Sequence, residues 1–345
     1  MTGEASDAAS EVASGSVPST GSVPSTGPVP STGAVGSVAR WWLGARPRTL
    51  PAAVVPVVVA TAIAHAWHAP GLGAGSWVRG VGAMVVALAV QIGTNYANDY
   101  SDGMRGTDDE RVGPVRLVAS GLASPRSVKW AALASFALAG VVGLALAAAT
   151  SWWVIPVGAA CLAAGWLYTG GPRPYGYAGL GEVFVFVFFG LVATVGTTYV
   201  EALRLWWWPA WVAGSALGSL AAALLLANNV RDIATDEVSG KRTLAVRLGR
   251  RRSGVAYALC VLVPFAGALV WGVVAVAQRV GGDAGAPLPV GPFLPLLALP
   301  VAIPPLRTAL GQAEGRALLP VLAATGRLQL VFGGLLALGL WWWVS

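Results

Sequence analysis

Nine long apolar segments constrain this 345-residue chain more than any other feature. A helix needs about 20 mostly apolar residues to cross a bilayer, and each segment approaches that length. Only 11% of the residues are charged, whereas a soluble protein carries roughly 25%. The segments are Leu50–Trp67, Val78–Asn98, Val128–Thr150, Trp152–Tyr168, Leu180–Val200, Trp206–Asn228, Ser253–Ala277, Phe293–Leu310 and Leu318–Trp343. We therefore predict an all-α integral membrane protein with nine transmembrane helices.

The N-terminal residues 1–40 differ from the rest of the chain. They lack aromatic residues and repeat the hexapeptides GSVPST, GSVPST and GPVPST. A tract of Pro, Ser, Thr and Gly cannot bury enough apolar surface to fold. We expect residues 1–40 to form a disordered low-complexity tail and residues 41–345 to form the membrane-embedded domain.

The basic residues predict the orientation of the chain. If the N-terminus is cytoplasmic and nine spans alternate, 19 of the 22 Lys and Arg residues lie on the inner side. The other three are Arg79, Arg204 and Arg279. Cytoplasmic loops carry such an excess, so we predict a multi-pass protein of the cell membrane with a cytoplasmic N-terminus. The net charge of +7 is explained by these loops, and we expect no nucleic-acid partner.

The acidic residues gather in two clusters that follow the second and sixth spans. The first cluster runs from Asp99 to Glu110. If the helix continues past Asn98, then Asn95, Asn98 or Asp99, and Asp102 share one helical face. Both clusters would then lie at the cytoplasmic ends of their spans.

The second cluster runs from Asp232 to Glu237. Asp232 and Asp236 are four residues apart, and Asn228 or Asn229 extends their face toward the membrane. One such pair alone is typical of a solvated loop at a helix end. Two pairs, each preceded by Asn and followed by Arg or Lys, favour a binding site.

These residue types suit a magnesium–diphosphate site. Carboxylates near the hydrocarbon boundary are costly unless paired or metal-bound. Mg²⁺ prefers oxygen ligands and is usually held by one or two carboxylates together with substrate phosphates. Nearby cations could neutralise the remaining charge of a diphosphate; they are Arg105, Arg116, Arg231 and Lys241. A transporter is the alternative, but its charges would more often lie near the midplane on broken helices.

Four motifs resemble the UbiA superfamily of intramembrane prenyltransferases, and within it the 1,4-dihydroxy-2-naphthoate branch of menaquinone biosynthesis. They span residues 46–51 (RPRTLP), 95–121 (beginning NYANDYSDG), 168–182 (beginning YTGGPRPYG) and 228–249 (beginning NNVRDIATDE). The resemblance covers about Trp42 to Leu248 and continues more weakly beyond.

The resemblance implies a bundle of nine helices with a central cavity. It also implies Mg²⁺-dependent ionisation of a polyprenyl diphosphate, followed by attack of 1,4-dihydroxy-2-naphthoate and loss of its carboxylate to give a demethylmenaquinone. Another aromatic acceptor is the first alternative, and a membrane transporter is the second.

The resemblance also assigns the metal ligands. Asn98 and Asp102 match the Asn-xxx-Asp of the first family motif, and Asp232 and Asp236 match the second. Ubiquinone-type members carry a further Asp where this chain has Gly106. Either Asp99 or Asp108 completes the site, and we favour Asp99 because it can share the helical face. The predicted catalytic and metal-binding residues are Asp99, Asp102, Asp232 and Asp236, with Asp108 in reserve.

The remaining predicted residues would bind the two substrates. Tyr168 could line the acceptor pocket, and Arg173 could bind the acidic aromatic acceptor. The full predicted substrate-binding set is Asn95, Asn98, Arg105, Arg116, Tyr168, Arg173, Asn228, Asn229, Arg231 and Lys241.

Overall fold

The computed structural model of the protein describes residues 36–68, 73–106, 115–205, 207–280 and 291–342. Every regular element within these ranges is helical. The α-helices are α1 (Ser37–Ala45), α2 (Pro51–His68), α3 (Ala74–Arg105), α4 (Pro125–Ala149), α5 (Val154–Leu167), α6 (Gly181–Val185), α7 (Ala193–Ala202), α8 (Trp208–Arg231), α9 (Ile233–Val238), α10 (Leu244–Val280), α11 (Leu299–Leu310) and α12 (Leu319–Trp342). A π-helical segment, Phe186–Val192, joins α6 to α7, and 3₁₀ turns form at Pro47–Thr49, Tyr175–Ala178, Gly291–Ala298 and Gly315–Leu318.

The described residues contain seven helical segments that are long and apolar enough to cross a membrane. An eighth is added if α1 and α2, which are bent by 58° at their junction, count as one span. The predicted segment Trp152–Tyr168 forms the 14-residue helix α5, which is shorter than a full span. The multi-span helical architecture is therefore confirmed, whereas the count of nine spans is not.

The predicted tail lies almost wholly outside the described residues. Within them, α1 already begins at Ser37, so the predicted boundary at residue 40 falls inside a helix. Trp41 docks this stretch on the bundle, since its ring packs edge-on against Tyr96 of α3.

Helix α3 carries the first acidic motif beyond the expected edge of the hydrocarbon. Its 32 residues span about 48 Å, compared with about 30 Å for the hydrocarbon core. The helix continues past Asn98 to Arg105, which meets the condition under which the residues of the motif share one face. It ends at Gly106, which has a φ of 69° and donates its N–H to the carbonyls of Asp102 and Gly103. A left-handed C-terminal residue favours glycine, so Gly106 is explained by helix termination.

The second acidic motif is not on one continuous helix. Helix α8 ends at Arg231, Asp232 leaves the helical conformation, and the short helix α9 begins at Ile233. The N–H of Asp236 still bonds the carbonyl of Asp232 at 2.8 Å. The N–H of Asp232 likewise bonds the carbonyl of Asn228 at 3.2 Å, so helical hydrogen bonding runs through the break, and the shared face of Asn228 and Asp236 stays a prediction.

The core of the bundle lies among α2, α8, α10 and α12. Val59, Leu217, Leu220 and Leu328 are completely buried there. Helix α8 also packs closely against the π-helical segment, where Gly190 faces two glycines of α8. A Cβ on Gly190 would lie 2.4 Å from the Cα of Gly218 and 2.5 Å from the carbonyl oxygen of Gly214.

We expect Gly190→Ala to destabilise the protein by about 1–3 kcal/mol, because its methyl group would collide with the backbone of α8. Gly196→Ala is the matched control, since a Cβ at Gly196 meets no atom within 4 Å. Thermal unfolding in detergent should show a lower midpoint for Gly190→Ala only. Equal midpoints for the two variants would contradict this close packing.

Candidate active site

One cavity of about 1390 Å³ brings the two acidic motifs together. Along α3 it extends from Ala83 to Asp102, a distance of about 28 Å at the rise of a helix. Most of its wall is apolar. Its charged and amide side chains are Arg46, Arg48, Gln91, Asn95, Asn98, Asp102, Arg116, Asn228, Asn229, Arg231, Asp236 and Lys241.

Asp102 is the centre of the polar end of this cavity. The hydroxyl of Tyr177 donates to its Oδ1 at 2.6 Å. The ammonium of Lys241 lies 3.5 Å from the same oxygen, and the guanidinium of Arg116 lies 3.6 Å from Oδ2. All three partners come from segments remote in sequence, and the carboxylate is only 3% exposed.

Lys241 links the two acidic motifs directly. Its backbone N–H donates to the carbonyl of Asp236 at 2.8 Å, while its side chain reaches Asp102. The ammonium also lies 4.8 Å from the ring centroid of Tyr177, within the range of a cation–π contact. The structure thus brings Asp102, Asp236 and Lys241 to one cavity, as the sequence predicted for a shared site.

The asparagines of the first motif hold neighbouring segments against α3. Asn95 donates to the carbonyl of Ala45 at 2.9 Å and to the hydroxyl of Thr49 at 3.1 Å. Asn98 accepts a hydrogen bond from the hydroxyl of Thr169 at 2.8 Å. Both asparagines line the cavity, so they can position the segments around the site as well as meet a ligand.

Asn229 of the second motif is fixed by a buried carboxylate. Its amide donates to Oε1 of Glu182 at 2.8 Å, and both residues are buried. The other oxygen of Glu182 has no partner among the described residues. Asn228 and Asn229 both line the cavity.

Asp99 and Asp232 are arranged differently from Asp102 and Asp236. Each has both carboxylate oxygens engaged, and neither lines the cavity. Asp99 accepts the backbone N–H groups of Leu117 and Val118. Asp232 accepts two hydrogen bonds of 2.6 Å from Arg231 in a buried pair. Metal binding by these two residues stays a prediction.

Two other predicted residues are not brought into the cavity. Arg105 is exposed and donates to the carbonyls of Thr169 and Gly171, so it ties the end of α3 to the loop after α5. Arg173 is exposed in that same loop. Asp108 lies outside the described residues. Tyr168, by contrast, lines the cavity as expected.

Sequence reasoning missed Thr169 and Tyr177, whose hydroxyls bond Asn98 and Asp102. Both lie in the Pro- and Gly-rich loop between α5 and α6, which faces the same end of the bundle as the acidic motifs. The position of this loop at the same end of the bundle was the only sequence feature that could have indicated Thr169 and Tyr177 as site residues. The partners themselves follow only from how the loop folds.

The comparison with known families fits this geometry. The UbiA prenyltransferase family matches residues 53–285, which is more than half of the chain. This chain belongs to the UbiA prenyltransferase family. It is therefore a multi-pass membrane prenyltransferase.

Individual members of the family are also similar to this chain. The chain is 49% identical to a 1,4-dihydroxy-2-naphthoate octaprenyltransferase of Mycobacterium tuberculosis, over 88% of this chain and 98% of that protein. It is 48% identical to the protein of the same name from Mycobacterium leprae, over 86% and 94% of the two chains. A solved UbiA homologue from Archaeoglobus fulgidus, bound to DMAPP and Mg²⁺, shares the fold with a TM-score of 0.55 at 15% identity, covering 87% of this chain and 98% of that one.

The donor set of this UbiA prenyltransferase fits magnesium that is shared with a ligand. Among the described residues, no three His, Cys, Asp or Glu side chains form a ready-made metal cage. Asp102 and Asp236 instead offer carboxylate oxygens to the cavity from two separate segments. Mg²⁺ is commonly held in this way, by one or two carboxylates together with substrate phosphates.

Tyr175 provides a test of the aromatic wall of this UbiA cavity. Its hydroxyl donates to the carbonyl of Ala164 at 2.8 Å, and burial raises the pKa of Tyr175 above its ordinary value of 10.0. We expect Tyr175→Phe to lower the free energy of unfolding by about 1 kcal/mol near neutral pH. In the unfolded chain the phenol ionises near pH 10, so its contribution is present below that pH and lost as pH rises further.

The measurement is the free energy of unfolding of both proteins in detergent, from about pH 8 to about pH 11. The difference between wild type and Tyr175→Phe should shrink at the alkaline end. A constant difference across the range would contradict the shifted pKa.

Proposed function

We propose that this UbiA prenyltransferase transfers a polyprenyl group from its diphosphate to 1,4-dihydroxy-2-naphthoate, giving the quinol form of a demethylmenaquinone for menaquinone biosynthesis. The observation that carries the proposal is the division of one cavity into a charged end and a long apolar remainder. A prenyl diphosphate has the same division. The naphthoate acceptor is supported by the 49% identity to the Mycobacterium tuberculosis octaprenyltransferase.

The charged end would bind the donor's diphosphate. Arg116, Lys241 and Arg231 line the cavity and are all buried. Cations in such an environment interact strongly with phosphate oxygens because little water screens them. The apolar walls of α3, α4, α5 and the π-helical segment would hold the prenyl tail and exclude water from the allylic carbon.

Asp102 and Asp236 are the residues that would hold Mg²⁺ against the diphosphate, with Asn98 able to add an amide oxygen. Bound there, the metal would neutralise charge on the departing diphosphate. Arg116 and Lys241, which pair with Asp102 in the structure, are close enough to contact the same diphosphate.

The acceptor would lie beside the aromatic residues of the loop and α6. Tyr175 stacks on Phe184 with ring centroids 4.0 Å apart, and Tyr168 meets Tyr175 edge-on at 5.5 Å. Aromatic rings favour such contacts with another ring.

In the proposed reaction, the bond from the allylic carbon to diphosphate breaks, and its electron pair leaves with the diphosphate. The ring carbon that bears the carboxylate forms the new bond, and carbon dioxide leaves its electron pair on the ring.

The excess of Lys and Arg predicts that the N-terminus and this active site face the cytoplasm of the cell. Two of the three cations predicted for the outer side lie toward the end of the bundle that is opposite Asp102. Arg79 is in the second turn of α3, and Arg204 follows α7. The two acidic motifs lie at the other ends of α3 and α8.

We expect Asp102→Ala and Asp236→Ala each to lower turnover by about 100-fold or more, because each removes a carboxylate that would hold the Mg²⁺ needed to stabilise the departing diphosphate. The assay combines purified protein, 1,4-dihydroxy-2-naphthoate, a polyprenyl diphosphate and Mg²⁺, and quantifies the prenylated quinol. Glu237→Ala is the matched control, because Glu237 neighbours Asp236 but is exposed and outside the cavity.

Near-normal turnover by either aspartate variant would rule out these residues as the metal site. Equal losses in all three variants would point to general damage to the fold. Thermal unfolding of each variant identifies damage of that kind separately.

We also expect strong preference for the naphthoate acceptor over other aromatic acids. A panel of 1,4-dihydroxy-2-naphthoate, 4-hydroxybenzoate and a porphyrin, each with the same donor and Mg²⁺, should give a product only with the first. If a product forms with another ring and none forms with the naphthoate, the protein is still a prenyltransferase, but the proposed naphthoate acceptor is wrong.

A further inference from the structure

Asp99 is a fully buried carboxylate that takes no part in the cavity wall. Its Oδ2 accepts the backbone N–H of Leu117 at 2.8 Å, and its Oδ1 accepts the N–H of Val118 at 3.1 Å. Ionised acceptors make shorter and stronger hydrogen bonds than neutral ones. Asp99 therefore fastens the backbone of the segment Arg116–Gly121 to helix α3.

The packing of that segment agrees with such fastening. Leu117 is completely buried in a cluster with Ala45, Tyr96 and Val128. Val118 lies so close to α3 that a Cβ added to Gly103 would be 2.5 Å from its Cγ1 and 2.7 Å from its Cβ. The segment closes on itself as a turn, with the N–H of Ser120 bonding the carbonyl of Arg116 at 2.9 Å.

The position of Arg116 follows from this attachment. Arg116 immediately precedes the two amides that Asp99 holds, and its guanidinium reaches the carboxylate of Asp102. Asp102 lies three residues beyond Asp99, on the same side of α3. One helix thus holds the backbone of the segment through Asp99 and meets its cation through Asp102.

We propose that Asp99 is a positioning residue that holds the segment Arg116–Gly121 on α3, so that the guanidinium of Arg116 is presented to the diphosphate of the donor. This inference rests on the proposed function. It replaces the sequence-based prediction that Asp99 is a magnesium ligand, because both oxygens of Asp99 already serve backbone amides.

The test compares Asp99→Asn, Arg116→Gln and the double variant in full-length protein. Donor binding is measured without any acceptor, using farnesyl diphosphate as the probe at a series of Mg²⁺ concentrations. Hydrogen exchange of the peptide that contains Leu117 and Val118 is followed in parallel. Asp102→Asn is the reference for a variant that removes a proposed metal ligand.

Asp99→Asn should weaken farnesyl diphosphate binding by about tenfold, the size expected for losing a charge-assisted hydrogen bond. It should also speed exchange of the Leu117–Val118 amides, while the Mg²⁺ concentration that half-saturates binding stays unchanged. Arg116→Gln should weaken binding without speeding exchange. The double variant should bind no more weakly than Arg116→Gln alone, because Asp99 acts through Arg116.

A shift in the Mg²⁺ requirement of Asp99→Asn like that of Asp102→Asn would overturn the proposal. Unchanged exchange, or losses that multiply in the double variant, would overturn it as well. If Asp99→Asn does not fold, Gly103→Ala displaces the same segment from α3 without altering either side chain. A folded Gly103→Ala protein with wild-type affinity for farnesyl diphosphate would then overturn it.

These measurements are independent of the acceptor. If the naphthoate assay fails while the binding and exchange results hold, the proposed acceptor is wrong and the role of Asp99 stands. If the protein binds no farnesyl diphosphate, the proposed donor and the presentation of Arg116 to its diphosphate are both overturned, even where Asp99→Asn still releases the segment.

Discussion

The carboxylate of Asp102 is the contact on which the polar end of the cavity depends. Tyr177, Arg116 and Lys241 reach it from three segments that are distant in sequence. A carboxylate buried in a lipid-embedded bundle is costly unless cations and hydrogen-bond donors compensate it. The same demand that stabilises Asp102 therefore gathers the loop after α5, the segment after α3 and the segment after α9 around one point.

A second buried carboxylate is also contacted by polar groups from several helices, but it does not face the ligand cavity. Glu201 belongs to α7 and lies beside the first turns of α3, at the end opposite Asp102. It is completely buried and accepts a hydrogen bond of 2.6 Å from Thr61. His65 lies 3.5 Å away, and Ser76 and Arg79 donate to the backbone carbonyl of Glu201. Glu201 does not line the cavity. Its contacts join α2, α3 and α7, so the role of Glu201 is structural, whereas Asp102 faces a space that a ligand can enter.

Much of this arrangement could be predicted from the sequence, because it depends on local patterns. Apolar length located most of the spans, and because α3 continues past Asn98, the condition under which Asn95, Asn98 and Asp102 share one face is met. Helix α5 is shorter than predicted because the apolar run includes residues that form the turn before it. The turn at Asp232 also escaped prediction. At this turn Arg231 donates to both carboxylate oxygens of Asp232. Neither an arginine nor an aspartate at these positions signals a helix break.

Contacts between distant segments could not be predicted, and they separate the two kinds of aspartate. Asp99 and Asp102 lie three residues apart on one helix, so periodicity gives them the same face. Their roles differ because a segment 18 and 19 residues further along returns to α3 and offers its amides to Asp99 alone. Asp102, one turn nearer the end of the helix, meets side chains that a ligand could draw away. A motif therefore identifies which residues approach the site, and the return path of the chain determines which of them remain available for chemistry.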